Sequence, residues 1–410
     1  MIVRKAFRYR IYPSPEQAAR LDRWGDALRF LWNLANEQRR ISYAHPRDYR
    51  TYPSAFDQAL ELTGLRADLP WLADVPRDVS MQLLANLDTA WQRCFKRLGR
   101  EPNWKRKGRD VIGLTEPHPK AWHLDVEVLR FPKIGPMHAV VHRPLVGTPK
   151  TCTIKRDGDQ WFASILCEIE VAEPVPSTKP PIGIDRGCVN LLADSDGRIV
   201  ENPRHLRRAE KRLRRAQRTV SRRKKGSKNR EKAKRRVARL HRKVRRQRDH
   251  VLHVESKFYA NNHGTIFVER LQIENMSAAG GAHKRGLNRS IMSAGWGRFV
   301  DFCRYKVVPV GGRVDDVPAP GTSQECSECG VEDVRSRVSQ SLFRCVACGH
   351  EEHADTNAAK NVLGRGLHQT AVEPTVDACA IPTARKRVGR QELRVARRGT
   401  RSQSLGSKKL

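Results

Sequence analysis

Ile182-Gly183-Ile184-Asp185-Arg186-Gly187 is the stretch on which the fold turns. Val189-Asn190-Leu191-Leu192-Ala193 and Asp196-Gly197-Arg198-Ile199-Val200 follow it. Short apolar runs divided by Gly- and Asp-bearing turns predict strand, turn, strand, turn, strand. Asp185 stands near the end of a first strand that is otherwise apolar. A carboxylate there costs several kcal/mol unless it is paired, hydrogen-bonded or bound to a metal. Taken alone, it reads equally as a structural hydrogen-bonding residue.

Two other segments carry the same feature. Thr265-Ile266-Phe267-Val268-Glu269 is a second apolar strand ending in a carboxylate, with Leu271 and Asn275-Met276 after it. Glu352-His353-Ala354-Asp355-Thr356-Asn357-Ala358-Ala359-Lys360-Asn361 reads as a helix start with Asp355 in its entry turn. The three carboxylates lie 84 and 86 residues apart, and spacing alone does not bring them together. If they converge, they offer the hard oxygen ligands that magnesium takes. Two ions about 4 Å apart would activate an attacking water and stabilise the leaving oxygen of a phosphodiester.

Cys326-x-x-Cys329 and Cys345-x-x-Cys348 are separated by 15 residues, the two-knuckle spacing of a structural zinc ribbon. Four thiolates complete a tetrahedral shell, so the ion is structural rather than catalytic. Gly330 and Gly349 follow the second cysteine of each pair, where a tight turn needs a permissive backbone. His350 and His353 read as turn or site-lining residues, not ligands. The other six cysteines, Cys94, Cys152, Cys167, Cys188, Cys303 and Cys379, read as free thiols, mostly buried small hydrophobes.

The charge points to a polyanionic partner. The 410 residues hold 79 Lys and Arg against 44 Asp and Glu, a formal +35. The excess is densest at about 203–249. Leu206, Leu213 and Val220 recur there every seven residues, a Gly226-Ser227 break intervenes, and Val237, Leu240 and Val244 follow. This predicts a hairpin of two arginine-rich helices, each with one thin apolar stripe. Such crowding is destabilising without counter-charge, which predicts direct phosphate contact, with Arg222, Arg223, Lys224 and Lys225 as candidate nucleic-acid-binding residues. No apolar run of about 18 residues exists to span a bilayer, and Met1-Ile2-Val3-Arg4-Lys5 lacks a signal peptide's apolar segment. The expectation is a cytoplasmic protein without a membrane partner, nucleoid-associated when bound to DNA.

Residues 2–11 alternate as a strand, and Ser14-Pro15-Glu16-Gln17 reads as a capped helix start. Leu21, Trp24, Leu28, Leu31, Trp32 and Leu34 recur at helical spacing, as do Val79, Leu83, Leu84, Leu87, Ala90 and Trp91 within 76–98. These side chains read as core rather than base-stacking platforms. Residues 111–170 turn to short strands: Leu124 to Leu129 alternates, and Thr151–Lys155 and Trp161–Leu166 flank Asp157-Gly158 as a hairpin. They suggest a small barrel that includes the N-terminal strand, with the helices inserted between. The Pro-rich segment 171–181 marks a boundary.

The order strand–Asp, basic helical insertion, strand–Glu, cysteine ribbon, Ala-Asp-x-Asn-Ala-Ala resembles the transposon-encoded TnpB proteins, relatives of the type V CRISPR nucleases. Lys5 to Pro13 with Gln17 resembles the family's opening. Ser221-Arg222-Arg223-Lys224-Lys225-Gly226-Ser227, Ala294-Gly295-Trp296-Gly297-Arg298-Phe299 and Thr322-Ser323-Gln324-x-Cys326-Ser327-x-Cys329-Gly330 resemble later motifs. The resemblance covers most of the chain and is specific as an ordered set. It implies an RNA-guided DNA endonuclease. A guide RNA from the transposon's end pairs with one strand of double-stranded target DNA beside a short flanking motif, and a RuvC-like site cuts. It implies Asp185, Glu269 and Asp355 as catalytic ligands of magnesium, in two ions, and the four ribbon cysteines as zinc ligands. One departure precedes the ribbon: Val307 to Gly312 and Arg313 to Pro318 are less apolar than the family's strand there.

The resulting fold class is α+β and multidomain: a RuvC/RNase H-like α/β nuclease core with an inserted zinc ribbon, plus an N-terminal β-barrel with an inserted helical bundle. The expected boundaries are 1–14 and 105–175 for the barrel, 15–104 for the helical domain, 182–322 and 350–366 for the nuclease, 323–349 for the ribbon, and 367–410 for a basic, disordered tail. Three rivals share parts of this pattern. Intact carboxylates count against a guide-bound DNA-binding repressor that does not cleave. Only a neighbouring CRISPR array separates a compact type V CRISPR effector. Co-purifying RNA would discount a DNA-binding protein acting without RNA.

Overall fold

The computed structural model describes residues 1–45, 52–278 and 280–372. The expected tail from residue 373, with Cys379, lies outside the described residues.

β1 (Ile2–Tyr12) buries Phe7, Tyr9 and Ile11 on one face, as its alternation predicts. Four helices follow: α1 (Pro15–Ala44), α2 (Ala55–Asp68), α3 (Pro70–Ala73) and α4 (Arg77–Phe95). The chain then forms β2 (Leu114–Glu116), β3 (His123–Leu124), β4 (Val128–Phe131), β5 (Gly135–Val140), β6 (Thr148–Asp157) and β7 (Gln160–Glu170). Together with β1 these make one sheet in the order β2-β6-β7-β1-β5-β4-β3. Every ladder in it is antiparallel. The expected barrel is an open sheet in its hydrogen bonding: its end strands are three and two residues long, and no ladder joins them among the described residues.

α1 begins where the sequence places it. The Ser14 side chain accepts from the Gln17 amide, and the Gln17 side chain accepts from the Ser14 amide, a reciprocal cap. Leu21, Trp24, Leu28, Leu31 and Trp32 are buried against Val79, Leu83, Leu84, Leu87 and Trp91 of α4. The tryptophans are core, and their indole N–H groups are satisfied by Asp74, Asn103 and Asn36. Leu34 departs from the expectation: it is 40% exposed, on the outer face of α1. Leu124 to Leu129 is not one strand either. The Asp125 amide donates to the Val128 carbonyl, closing a turn that sets β3 against β4.

The second half contains β8 (Ile182–Asp185), β9 (Asn190–Asp194) and β10 (Ile199–Glu201). α5 (His205–Arg222) and α6 (Lys228–Asn262) come next, then β11 (Thr265–Glu269). α7 (Ile273–Met276), α8 (Ala282–Ala294), α9 (Trp296–Val307) and β12 (Arg313–Val317) follow. The sheet order is β10-β9-β8-β11-β12, with β8, β11 and β12 parallel. α5 and α6 form the expected hairpin, but α6 runs past the basic stretch. Its last turns carry Leu252, Tyr259 and Ala260 into the core with Phe299 and Cys303 of α9. β12 explains the departure noted before the ribbon. It is an edge strand, so Asp315 and Asp316 need no apolar cover and pair with Arg313 and Arg304.

The ribbon adds a two-stranded ladder, β13 (Leu342–Arg344) with β14 (Glu351–His353). It therefore ends at His353 rather than 349, because Leu342 pairs with His353. α10 (Ala354–Val372) starts immediately after and extends past the expected end at 366. The helix lies directly on β8 and β11. A Cβ on Gly183 would sit 2.2 Å from the Ala359 carbonyl oxygen, and one on Gly366 would sit 2.3 Å from the Phe267 ring. Only glycine allows that approach. The two halves meet where the β6–β7 turn docks on α6: buried Arg242 donates to Asp159 and to the Asp157 carbonyl, and Arg245 pairs with Asp157. No helix among the described residues is long and apolar enough to cross a membrane.

Candidate active site and metal centre

β8 and β11 run parallel with Ile184 opposite Val268, so Asp185 and Glu269 leave the same end of the sheet side by side. β9 starts there too, and its Asn190 donates to Asp355 Oδ2 at 2.9 Å. That bond brings the first turn of α10 to the same strand ends. The three carboxylates, remote in sequence, thus converge. Asp185 registers the convergence: burial, then the charges of Glu269 and Asp355, push its carboxyl up to about 7. They are not drawn into tight contact. Among the described residues, only the four ribbon thiols form a potential metal cluster within 4.8 Å.

Each carboxylate is held separately. The Arg186 amide donates to Asp185 Oδ1 at 2.8 Å. The Thr322 hydroxyl donates to Glu269 Oε1 at 2.5 Å. Arg337, from the loop between the two cysteine pairs, reaches Asp355 Oδ1 at 3.5 Å. The Arg186 guanidinium is buried and donates to the Glu269 carbonyl, a cation beneath the acidic cluster. Sequence reading misses these four partners. Thr322 lies in a motif the sequence shows and Asn190 is second in the strand it predicts, so their places were visible. Nothing local marks Arg337. Asp194 is a useful contrast. It is more deeply buried, but the Tyr259 hydroxyl and the Arg198 amide satisfy it, leaving no unmet demand for a cation.

The ribbon's thiols are tighter. Cys326 and Cys348 Sγ lie 3.7 Å apart, and Cys329 and Cys345 Sγ lie 3.5 Å apart. Bonds of about 2.3 Å to a tetrahedral ion would put sulfurs about 3.8 Å apart, so the set fits a four-thiolate site. The Cys348 and Ala347 amides donate to Cys345 Sγ and pull that thiol down to about 6, toward the thiolate a metal takes. Gly330 and Gly349 adopt φ of +72° and +75° at the knuckle turns. The His353 ring accepts from the Asp355 amide, which makes it site-lining as read.

Ribbon and carboxylates are mechanically joined. Asn357 of α10 donates to the Glu325 carbonyl and accepts from the Ser327 amide. Asn361 donates to the Thr322 and Glu325 carbonyls, and Arg365 pairs with Glu325. The helix that carries Asp355 therefore grips the segment entering the first knuckle. Arg222, Arg223, Lys224 and Lys225 lie elsewhere, exposed at the tip of the α5–α6 hairpin. Of the scattered cysteines, Cys152, Cys167 and Cys303 are buried, and Cys94 and Cys188 are partly so, all unpaired.

Comparison with known proteins gives the family. A family model described as "Probable transposase" matches residues 164–279. A Cas12f1-like TNB domain matches 296–362, and a helix-turn-helix domain matches 1–47. Within the last, residues 1–45 form one strand and one long helix. "Putative RNA-guided DNA endonuclease InsQ" of Escherichia coli (strain K12) is 33% identical over 88% of this chain and 92% of its own length. A "Putative RNA-guided DNA endonuclease" of Streptomyces pristinaespiralis is 32% identical over 90% and 91%. A cryo-EM structure of a Cas12f1–sgRNA–target DNA complex aligns over 88% of this chain and 98% of that one, at 14% identity and a TM-score of 0.48, too loose a likeness to argue from. The chain belongs to the TnpB-like family of RNA-guided DNA endonucleases.

Proposed function

We propose that this chain cuts double-stranded target DNA by metal-dependent phosphodiester hydrolysis at Asp185, Glu269 and Asp355, guided by an RNA from the end of its transposon. The convergence of three carboxylates from β8, β11 and α10 on one sheet end carries the reading. On this reading the five-stranded sheet with α10 is a RuvC/RNase H-type core, and the ribbon is a zinc-bearing insertion in it. The seven-stranded sheet and α1–α4 are a separate nucleic-acid-gripping half.

The donor set fits hard divalent cations. Burial and the neighbouring charges of Glu269 and Asp355 work against the ionised Asp185 carboxyl, a strain that magnesium would relieve. Asp185, Glu269 and Asp355 would hold two such ions, which would supply water activation and leaving-group stabilisation. The chain's own residues do the rest. Asn190, Thr322 and the Arg186 amide fix the carboxylate orientations. Arg337 brings a guanidinium to the rim, where it can meet phosphate charge that builds during cleavage. Arg222, Arg223, Lys224 and Lys225 hold backbone phosphates without reading sequence.

The test is to sequence RNA that co-purifies with the protein, then assay plasmid cleavage with that RNA and magnesium. RNA-dependent, magnesium-dependent cutting of matched plasmid is expected. DNA binding without cutting would favour the repressor reading.

A further inference from the structure

A well-formed cavity lies outside the carboxylate cluster. It has a volume of about 780 Å³ and sits between α5, α6 and α8. Cys188 and Val189, in the turn that leaves β8 directly after Asp185, form one wall. Leu206 and Leu213 contribute apolar surface. Arg204, Arg207, Arg214 and Arg289 face it with one carboxylate, Glu210, among them. Glu210 is shared between Arg214 and Arg289. Among the described residues, neither Arg204 nor Arg207 has an ion-pair partner.

The rim is built rather than loose. Asn202 donates to the Cys188 carbonyl and accepts from the Arg204 amide. Arg204 is thereby held with φ of +48°, a backbone conformation that non-glycine residues seldom adopt. A non-glycine residue in that region signals a position fixed by its surroundings.

We infer that this cleft takes an unpaired nucleotide of the DNA strand that approaches the carboxylates. The inference rests on the nuclease reading above and adds a binding site to it. An apolar floor ringed by guanidinium groups suits a base lying against leucine and arginine planes with its phosphates on arginine. The volume falls in the range of small-molecule sites, about 300–1,000 Å³, which a single extruded nucleotide can use and a duplex cannot enter. The position favours DNA over RNA as occupant, because the wall is the turn that follows Asp185.

The test measures binding of a short oligothymidylate, a short oligouridylate and a DNA duplex at several salt concentrations, using the full chain. Ser290→Phe fills the cleft from α8 without changing charge. It should weaken oligothymidylate binding about tenfold, one base-sized contact, and leave salt slope and duplex binding unchanged. Arg207→Ala combined with Arg289→Ala should flatten the single-strand salt slope by up to about 1.4 log units. Unchanged oligothymidylate binding in both variants overturns the inference, as does an equal loss on duplex. A loss confined to oligouridylate overturns DNA as the occupant. Magnesium-dependent cleavage by the wild type is run in parallel. Cutting alongside indifferent cleft variants sinks the cleft alone, whereas no cutting by the wild type sinks the nuclease reading.

Discussion

The four thiols and the three carboxylates are both candidate metal centres, but they are assembled in opposite ways. The thiols come from two turns close in sequence, and local backbone geometry alone brings them within 4.8 Å of one another. The carboxylates come from two strands and a helix, and among the described residues they do not form so tight a set. A locally built centre can be complete in itself. A centre built from distant elements inherits its geometry from whatever packs those elements together. Here that is Gly183 under α10, and the asparagines that tie α10 to the ribbon. The four-thiol centre thus braces the carboxylate one.

The largest effect is expected from the ribbon. Cys326→Ser should lose the metal, unfold the ribbon and, through Asn357 and Asn361, loosen Asp355, so that cleavage falls with the metal content. Elemental analysis and protease sensitivity of 318–353 check it. Wild-type protein without zinc would separate the two centres altogether.

The carboxylates should behave in the opposite sense when the metal is removed. The Asp185 carboxyl rises from an ordinary 3.8 to about 7 in the folded protein, so its ionisation opposes folding. Below about pH 4 it is neutral folded or unfolded and the penalty is absent; above pH 7 the penalty is complete, up to about 4 kcal/mol. Asp185→Asn should therefore raise the metal-free Tm at pH 8, and the gain should vanish toward pH 4. A lower Tm at pH 8 would mean that the acids do not crowd.

Gly183→Ala probes the packing between the centres. Its Cβ would meet the Ala359 carbonyl, so α10 must shift, at a cost of about 1–3 kcal/mol, and cleavage should fall further than stability explains. A denaturation curve beside a cleavage assay reads both. The smallest effect on the fold belongs to neutralising Arg222, Arg223, Lys224 and Lys225 together. Stability should change by under about 0.5 kcal/mol. Binding should weaken on every target, with a salt slope shallower by up to about one unit for each phosphate no longer held. An unchanged slope would leave these residues as solvated surface.

Much of this was legible in order along the chain. The strand–Asp and strand–Glu pattern, the helix starting at Asp355 and the cysteine knuckles each have a local signature, and each appears where the sequence puts it. Edges and ends were harder. Arg313 to Val317 looks unlike a strand because an edge strand needs no apolar cover on its open side. Leu124 to Leu129 alternates like one strand, yet Asp125 turns the chain back within it. α6 continues past residue 249 because its pattern changes from a solvated basic surface to a core face at Leu252 and Tyr259. Arg337 was out of reach altogether, since its partner is set by how the ribbon folds back on α10 and not by any neighbour in sequence.

The most direct measurement compares wild type and Asp185→Ala, each loaded with the co-purifying RNA, for cleavage and binding of a matched plasmid in magnesium. Cleavage by the variant should fall to background while guided binding stays within a few-fold of wild type, because one ligand is lost and the basic surface is intact. Undiminished cutting by Asp185→Ala would contradict a catalytic centre formed where β8, β11 and α10 meet.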